Sequence, residues 1–436
     1  MAEGRGRGRR RGYEGSSSSR QRTVFVNEMW PEPFVETLVY KVALDASNNV
    51  GQLEAARSIA TVFQVCTTWH GISRSDHIWR NLARLIWGRD RLTQDSWRNE
   101  YIVHHRTSYN FRIGGNVYTT LEFNDSNRSD SDSLSCRCLT LSDYYLACGF
   151  ADGVVRLFDL DTKLHVSTIR PEQRDQLGRF SRSVSGIILT NSNLVFASLD
   201  GDVHSGIITH GMGPTPRRVQ LGNVVTDGTL VSFTGCNRWW VGLFAGLPNR
   251  AFHVWDGESE ELVFVGGSLT DPEAVMGWHL LTELADPVGR VRMITSRESV
   301  VACTGLRLMV FDLHNLNEEE IFERGVIVDA VDVNRDMLLV LDNHGVASVR
   351  RVDNMEQVCR FTVRARNQRR LYGCINSGYA LICAGGTIRV WEVKRGEFLY
   401  GMRERIGEAS ALIADDRHAA ACSSDSRIHL WDFGAG

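Results

Sequence analysis

The sequence predicts a mainly β fold, a seven-bladed β-propeller behind a small helical module, and three observations carry the prediction. First, one phrase recurs: AGGTIRVWEV at 384–393, RIHLWDF at 427–433, RAFHVWD at 250–256, GVVRLFD at 153–159 and LRLMVFD at 306–312. Two weaker copies, GDVHSGII at 201–208 and GVASVRRV at 345–352, stand where a regular array needs them. Second, with the aromatic or its equivalent as the marker, positions 158, 206, 255, 311, 350, 391 and 431 are spaced by 48, 49, 56, 39, 41 and 40 residues. Third, each marker follows a lead-in of alternating Val, Ile, Leu and aromatic residues punctuated by Gly, Asp and Asn, as in LTLSDYYLACGFADGVVRLFDL from Leu139. Alternate side chains of a strand face opposite sides and those turn residues tolerate positive φ, so each copy reads as a β-meander.

A period of about 40 to 45 residues is the signature of WD40-type blades. An outer, fourth strand follows each marker, at 164–169, 261–265, 358–363 and 398–402 for example. The last copy has none. A ring cannot leave a sheet edge bare, so the missing strand must come from elsewhere. The segment NVYTTLEF at 116–123 precedes the first blade and has the alternation required; it is predicted to close the seventh blade, giving a propeller over 116–436.

From the start of the chain, 436 residues with 43% hydrophobic and 23% charged side chains fit a globular protein of about two domains. The net charge of -3 favours no class of partner. No apolar run reaches membrane-spanning length and no signal peptide is visible, so a membrane role is not expected. The ten cysteines lie mostly in predicted strands without any CxxC, which reads as buried, reduced thiols. Cys136 and Cys138 form a lone C-x-C without the companion pair a zinc site needs, and the adjacent His104 and His105 lack ligand spacing. Residues 1–27 open with MAEGRGRGRRRGYEG and are expected to be a disordered Gly/Arg-rich tail. Its arginines read either as a nuclear import signal or as a solubilising tail; direct nucleic-acid binding is the weaker reading.

The stretch 28–87 changes to helical spacing. Phe34, Leu38 and Val42 fall on one face behind Pro31 and Pro33, which suit a first helical turn. Leu53, Ala56, Ile59, Ala60, Phe63 and Cys66 repeat the pattern. A third run follows Ser75, a plausible N-cap, with Ile78, Trp79, Leu82, Leu85 and Ile86. Three short helices make a small module with a modest core. Residues 88–115 read as a helical linker, since a floppy one would be richer in Gly, Ser or Pro. A helix over 90–112 would place Trp97 and Tyr101 on one face.

Within that module VFQVCTTWHGISRSDHIWRNL, at 62–82, resembles the second half of an F-box: Val65-Cys66, a Trp three residues later at Trp69, then Ile78-Trp79 and Leu82. The usual Leu-Pro start is Trp30-Pro31 here, and the loop at 45–52 is longer than the family's. An F-box ahead of a WD40 propeller resembles the substrate receptors of SCF ubiquitin ligases. The resemblance implies an F-box docked on a Skp-type adaptor and cullin, with the propeller presenting the substrate. Further phrases, among them WPEPF, DSLSCRCLTLSD, RWWVGLFAG and LTDPEAVMGWH, resemble a plant branch of such proteins across nearly the whole chain after residue 28. That likeness implies a nuclear regulator of floral identity and organ size, directed at transcriptional repressor complexes of the PEAPOD type.

The adaptor surface is assigned to Pro31, Phe34, Leu38, Val65, Cys66 and Trp69. The alternative is that these side chains form the module's own core, and for Trp69 and Trp79 both readings stand. On the propeller, the connections from an outer strand to the next inner strand are basic: Arg170, Arg174, Arg179 and Arg182 after blade 1, Arg364, Arg366, Arg369 and Arg370 after blade 5, Arg403 and Arg405 after blade 6. Guanidinium groups grip carboxylate or phosphate in two-point contacts, so an acidic or phosphorylated substrate segment is the sharp reading and a solvated loop face the plain one. Trp239 and Trp240 are expected to place one ring in the core and one toward a neighbouring blade or solvent. The long connection at 269–281, LTDPEAVMGWHLL, reads as a structured insertion, helical after Pro272, and as a further partner contact. No phosphate loop, dinucleotide fingerprint, nucleophile elbow or zinc motif appears, so no catalytic site and no cofactor is expected. A ligase receptor, a corepressor scaffold that does not ubiquitinate, and a propeller enzyme with carboxylates converging on the axis remain the three functional classes.

Overall fold

The computed structural model describes residues 31–123, 134–171, 177–208, 216–268, 277–283, 289–304, 307–316, 319–324, 328–363, 371–423 and 426–435. The chain divides into two compact units, one ending at His105 and one beginning at Arg106. The expected tail, Arg174, the arginines at 364, 366, 369 and 370, and most of the 269–281 insertion lie outside the described residues.

In the first unit, helices α1 (Glu32–Asn49), α2 (Gln52–Phe63), α3 (Thr67–Ile72) and α4 (Asp76–Trp87) are followed by the first half of α5 (Trp97–Ile113). The buried stripe of α1 is Val35, Val39, Ala43 and Ala46, one residue on from the expected Phe34, Leu38 and Val42. Both stripes have helical spacing. The one with small side chains faces inward because it lets α1 lie close to α2, where Ala55, Ile59, Val62 and Phe63 are buried. Tryptophans 79 and 87, with Ile78, Leu82 and Ile86, complete this core from α4. Ser75 holds the N-cap position without a side-chain cap bond, and Gly88 in the left-handed region (φ +61°) ends α4. The expected linker helix starts later than residue 90. Ser96 Oγ caps it by accepting from Asn99 N (3.2 Å), and the irregular turn before it is tied to buried Glu100, whose carboxylate accepts from Thr93 N (2.9 Å) and Gln94 N (3.0 Å). No helix among the described residues is long and apolar enough to cross a membrane.

The second unit is a ring of seven four-stranded antiparallel sheets. Blades 1 to 6 take their strands in chain order, innermost first, over 136–169, 184–220, 229–266, 289–324, 328–362 and 372–405. Blade 7 has Ala409–Ala414, His418–Ser423 and Ile428–Asp432, with Val117–Leu121 as its outer strand, paired from Val117↔Asp432 to Leu121↔Ile428. Successive innermost strands touch, the last against the first, so the ring is closed. The marker residues share one register, opposite the second residue of the preceding strand: Leu146↔Phe158, Leu194↔Gly206, Ala380↔Trp391 and Ala419↔Trp431. Trp255 and Trp431 are fully buried in the seams between blades. A β-bulge recurs in five innermost strands, inserting Arg137, Ser185, Val231, Asp329 and Ser410 at equivalent positions. The second half of α5 packs on blades 6 and 7: Phe111 stacks on Phe433 (3.6 Å between rings), and Asn110 Nδ2 donates to the Phe433 carbonyl (2.8 Å).

Candidate functional site

Two surfaces hold the residues singled out by sequence. In the helical unit, Phe34 is 43% and Val65 62% exposed, Pro31 is exposed, and Leu38 and Cys66 are half-buried. Phe34 and Leu38 stand one helical turn apart on the outer side of α1. Trp69, on α3, is half-buried and packs against the core. Trp79 belongs to the interior: it is 9% exposed, its indole N–H donates to the Ser73 carbonyl (2.6 Å), and its ring lies 5.2 Å from that of Tyr101. The core is therefore complete without Phe34 or Val65, and bulky apolar side chains left outside a finished core mark a contact surface.

On the propeller, Arg170 and Arg179 are exposed and Arg182 is half-buried in the connection from blade 1 to blade 2; the Arg179 guanidinium lies 5.0 Å from the Phe180 ring. Arg403 and Arg405 are exposed but sit on the outer strand Glu397–Arg405, because that strand runs on until only a three-residue connection is left. The described residues do not gather the two groups into one cluster. Of the 269–281 insertion, Gly277–Leu281 forms a 3-10 turn, with Leu280 and Leu281 buried and Trp278 42% exposed. This turn is anchored on the connection from blade 1 to blade 2, since Phe180 N donates to the Leu281 carbonyl (2.8 Å). Trp240 is 3% exposed, whereas half-buried Trp239 donates from Nε1 to Glu298 (2.7 Å) on blade 4, dividing the pair between core and neighbouring blade.

A charged group on the innermost strands escaped sequence reasoning. Arg137, Arg290, Arg292, Asp329, Asp332 and Tyr372 are half-buried there, around the axis of the ring. Arg292 Nε pairs with Asp332 Oδ1 (3.3 Å), Asp332 Oδ2 also accepts from Ile375 N (2.9 Å), and the Arg290 guanidinium lies 5.9 Å from the Tyr372 ring. Burial pushes the Asp332 carboxyl above the usual carboxylate range against the pull of Arg292, and burial with repulsion from Arg292 lowers Arg290. Two carboxylates, Asp329 and Asp332, thus lie near the axis. The bulge at Asp329 and the run of alternating charge in GRVRMI were the available signals. Among the described residues no three His, Cys, Asp or Glu side chains converge to hold a metal ion. His104 instead meets Glu100 (3.0 Å), and all ten cysteines are free thiols.

No family model matches the chain. The solved β-propeller domain of Cps50 (Swd1) from Myceliophteria thermophila superposes with a TM-score of 0.52 at 15% identity, covering 72% of this chain and 99% of that one, a likeness of fold alone. The Arabidopsis thaliana protein Transcriptional regulator STERILE APETALA is 56% identical over 431 residues, 97% of this chain and 96% of that protein. At that identity the likeness runs through both units, well beyond what a shared propeller would give. The chain belongs to the STERILE APETALA family of transcriptional regulators.

Proposed function

We propose that this regulator acts in the nucleus as the substrate-recognition subunit of an SCF-type ubiquitin ligase, with no chemistry of its own. Its helical unit would dock on the Skp-type adaptor and cullin, and its propeller would capture transcriptional repressors, of which PEAPOD-type complexes are the candidates, to regulate floral identity and organ size. The observation that carries this reading is the pair Phe34 and Val65, bulky and exposed outside a core already closed by Val35, Val39, Ile59 and Trp79. An F-box is a helical module that offers such apolar knobs to an adaptor. Pro31, Leu38 and Cys66 would extend the surface, and Trp69 would support it from below. Substrate would meet the arginine-bearing connections, with Arg179 and Arg182 described there.

The test is capture of a purified Skp-type adaptor by the full chain carrying Phe34→Ala or Val65→Ala. Both sites are exposed, so each change should alter stability by less than about 0.5 kcal/mol while weakening capture about tenfold or more. Unchanged capture by both folded variants would remove this surface. No capture by the intact chain would move the reading to a corepressor scaffold that binds its partners without ubiquitinating them.

A further inference from the structure

In the helical unit a groove of about 330 Å³ lies between α2 and the first turns of α5. Its floor is apolar, made by Ile59 and Phe63 of α2, Trp79 of α4 and Tyr101 of α5, and Ile102, 48% exposed, forms an apolar lip. The Tyr101 hydroxyl is buried without a hydrogen-bond partner, so the floor is short of a polar contact as well as of cover. The direction of the groove follows from its two ends. His105 meets the Leu53 backbone near the start of α2, so α5 runs back along α2 and Arg98, about two turns earlier, lies toward the Phe63 end. The Arg98 guanidinium is 5.9 Å from the Trp79 ring, and no carboxylate pairs with it among the described residues. The groove therefore offers an apolar floor with an uncompensated cation at one end.

The chain itself carries a segment of matching chemistry. Residues 23–30, TVFVNEMW, lie outside the described residues and join α1 through Pro31. They break with the Gly, Arg and Ser before them: Val24, Phe25, Val26, Met29 and Trp30 are apolar, and the one charge is Glu28. Because α1 and α2 are joined by the tight turn at Val50 and Gly51 and pack against each other, α1 begins toward the Phe63 end of α2, which is also the Arg98 end. A segment leaving Pro31 along the groove thus meets Arg98 first, and Ile59 and Tyr101 further in. Eight extended residues reach about 26–29 Å, whereas the two turns of α2 beside the floor are about 10 Å long. We propose that residues 23–30 dock in this groove as an intramolecular strap, with Glu28 paired to Arg98 and Phe25 covering the floor between Ile59 and Tyr101. A tethered segment is present at about millimolar effective concentration, so contacts too weak to hold a separate partner suffice. The arginine-rich stretch ahead of Thr23 then leaves the unit from the His105 end of the groove. The inference rests on the helical unit alone and holds whether or not Phe34 and Val65 engage an adaptor.

The test is hydrogen–deuterium exchange of the full chain, read by mass spectrometry on peptic fragments covering 23–30, with a synthetic peptide of the same sequence as the unprotected reference. In the wild type these amides should exchange at least about tenfold more slowly than in the reference. Ile102→Asp puts a charge on the exposed lip, and Arg98→Glu sets two acids side by side. Each should bring the segment to the reference rate, while fragments from α4 keep their wild-type rates and show that the unit is still folded. Glu28→Arg placed in the Arg98→Glu chain should restore the protection. Exchange at the reference rate in the wild type would overturn the assignment and leave the groove to a separate partner protein. So would protection that survives Ile102→Asp, the result expected if residues 23–30 merely lengthened α1, or a charge swap that restores nothing.

Discussion

Arg156, on the third strand of blade 1, is 1% exposed, an unusual place for a guanidinium. It is held between two rings, 4.4 Å from the centre of Phe123 and 4.2 Å from that of Phe150, with Asp152 at 4.0 Å. Phe123 lies two residues beyond the strand Val117–Leu121 that closes blade 7, so the cation ties the end of the closing segment to blade 1. A desolvated cation–π contact contributes about 2 kcal/mol. Truncating a half-buried ring costs a further 2 kcal/mol or so in lost apolar burial, and Phe123→Ala should therefore destabilise the propeller by about 4 kcal/mol. In Arg156→Met the charge is gone but the length of side chain remains, a replacement that in buried sites is often neutral. Against that background Phe123→Ala should cost only about 2 kcal/mol, leaving a coupling of about 2 kcal/mol in the double-mutant cycle. The assay is urea unfolding of the propeller transition for the wild type, both single variants and the double variant at one pH. Single-variant costs that add to within about 0.5 kcal/mol would show that the rings and the cation act independently, and the reasoning would fail.

Two further perturbations probe the propeller. His253 in blade 3 is 2% exposed, stacks 4.0 Å from Phe244, and has its pKa lowered by burial from 6.5 to about 4. The folded form keeps this ring neutral while the unfolded chain takes up a proton below pH 6.5, so stability falls as pH drops from about 6.5 to about 4. Between pH 7.5 and 5 the loss should be about 2 kcal/mol, measured by urea midpoints, and His253→Leu should not show that component. At Gly186, on the innermost strand of blade 2, a Cβ would collide with the Phe233 carbonyl oxygen of blade 3. Gly186→Ala should force the two strands apart and cost about 3 kcal/mol, seen as a drop of several degrees in the unfolding temperature.

The blades were legible because their signal is local and repeated. An alternating strand, a Gly or Asp turn and a marker aromatic can each be read within ten residues, and seven copies leave little room for another period. NVYTTLEF was readable as a strand for the same reason. The helical unit was less legible. The inward face of α1 had to be chosen between two stripes at the same spacing, and the choice depends on how closely α2 approaches, which no local pattern in α1 contains. The six residues of α3 are too few to display a period, and the start of α5 is set by a cap at Ser96 and a carboxylate at Glu100. At the candidate sites, Val65 could be named from the motif and Phe34 from helical spacing, but their exposure could not. The axial charges stayed hidden because bulges at Arg137 and Asp329 break the two-residue alternation where those side chains enter the strand.

The pairing of Val117–Leu121 with Ile428–Asp432 also bears on how the protein is made. Tyr118 and its hydrogen-bonded partner His429 are 311 positions apart. At about 5–20 residues per second, a ribosome needs roughly 15–60 s to bring the second to the first. Throughout that interval the early strand has left the tunnel with no neighbour to accept it, and six nascent blades form a curved stack with a bare edge at either end. Such edges are where chains in crowded cytosol join wrongly, so a holding chaperone has its greatest value here before synthesis ends. A frameshift or stop codon just ahead of Ile428 would remove one of the twenty-eight strands among the described residues, yet leave the early strand without its partner and the stack unable to become a ring.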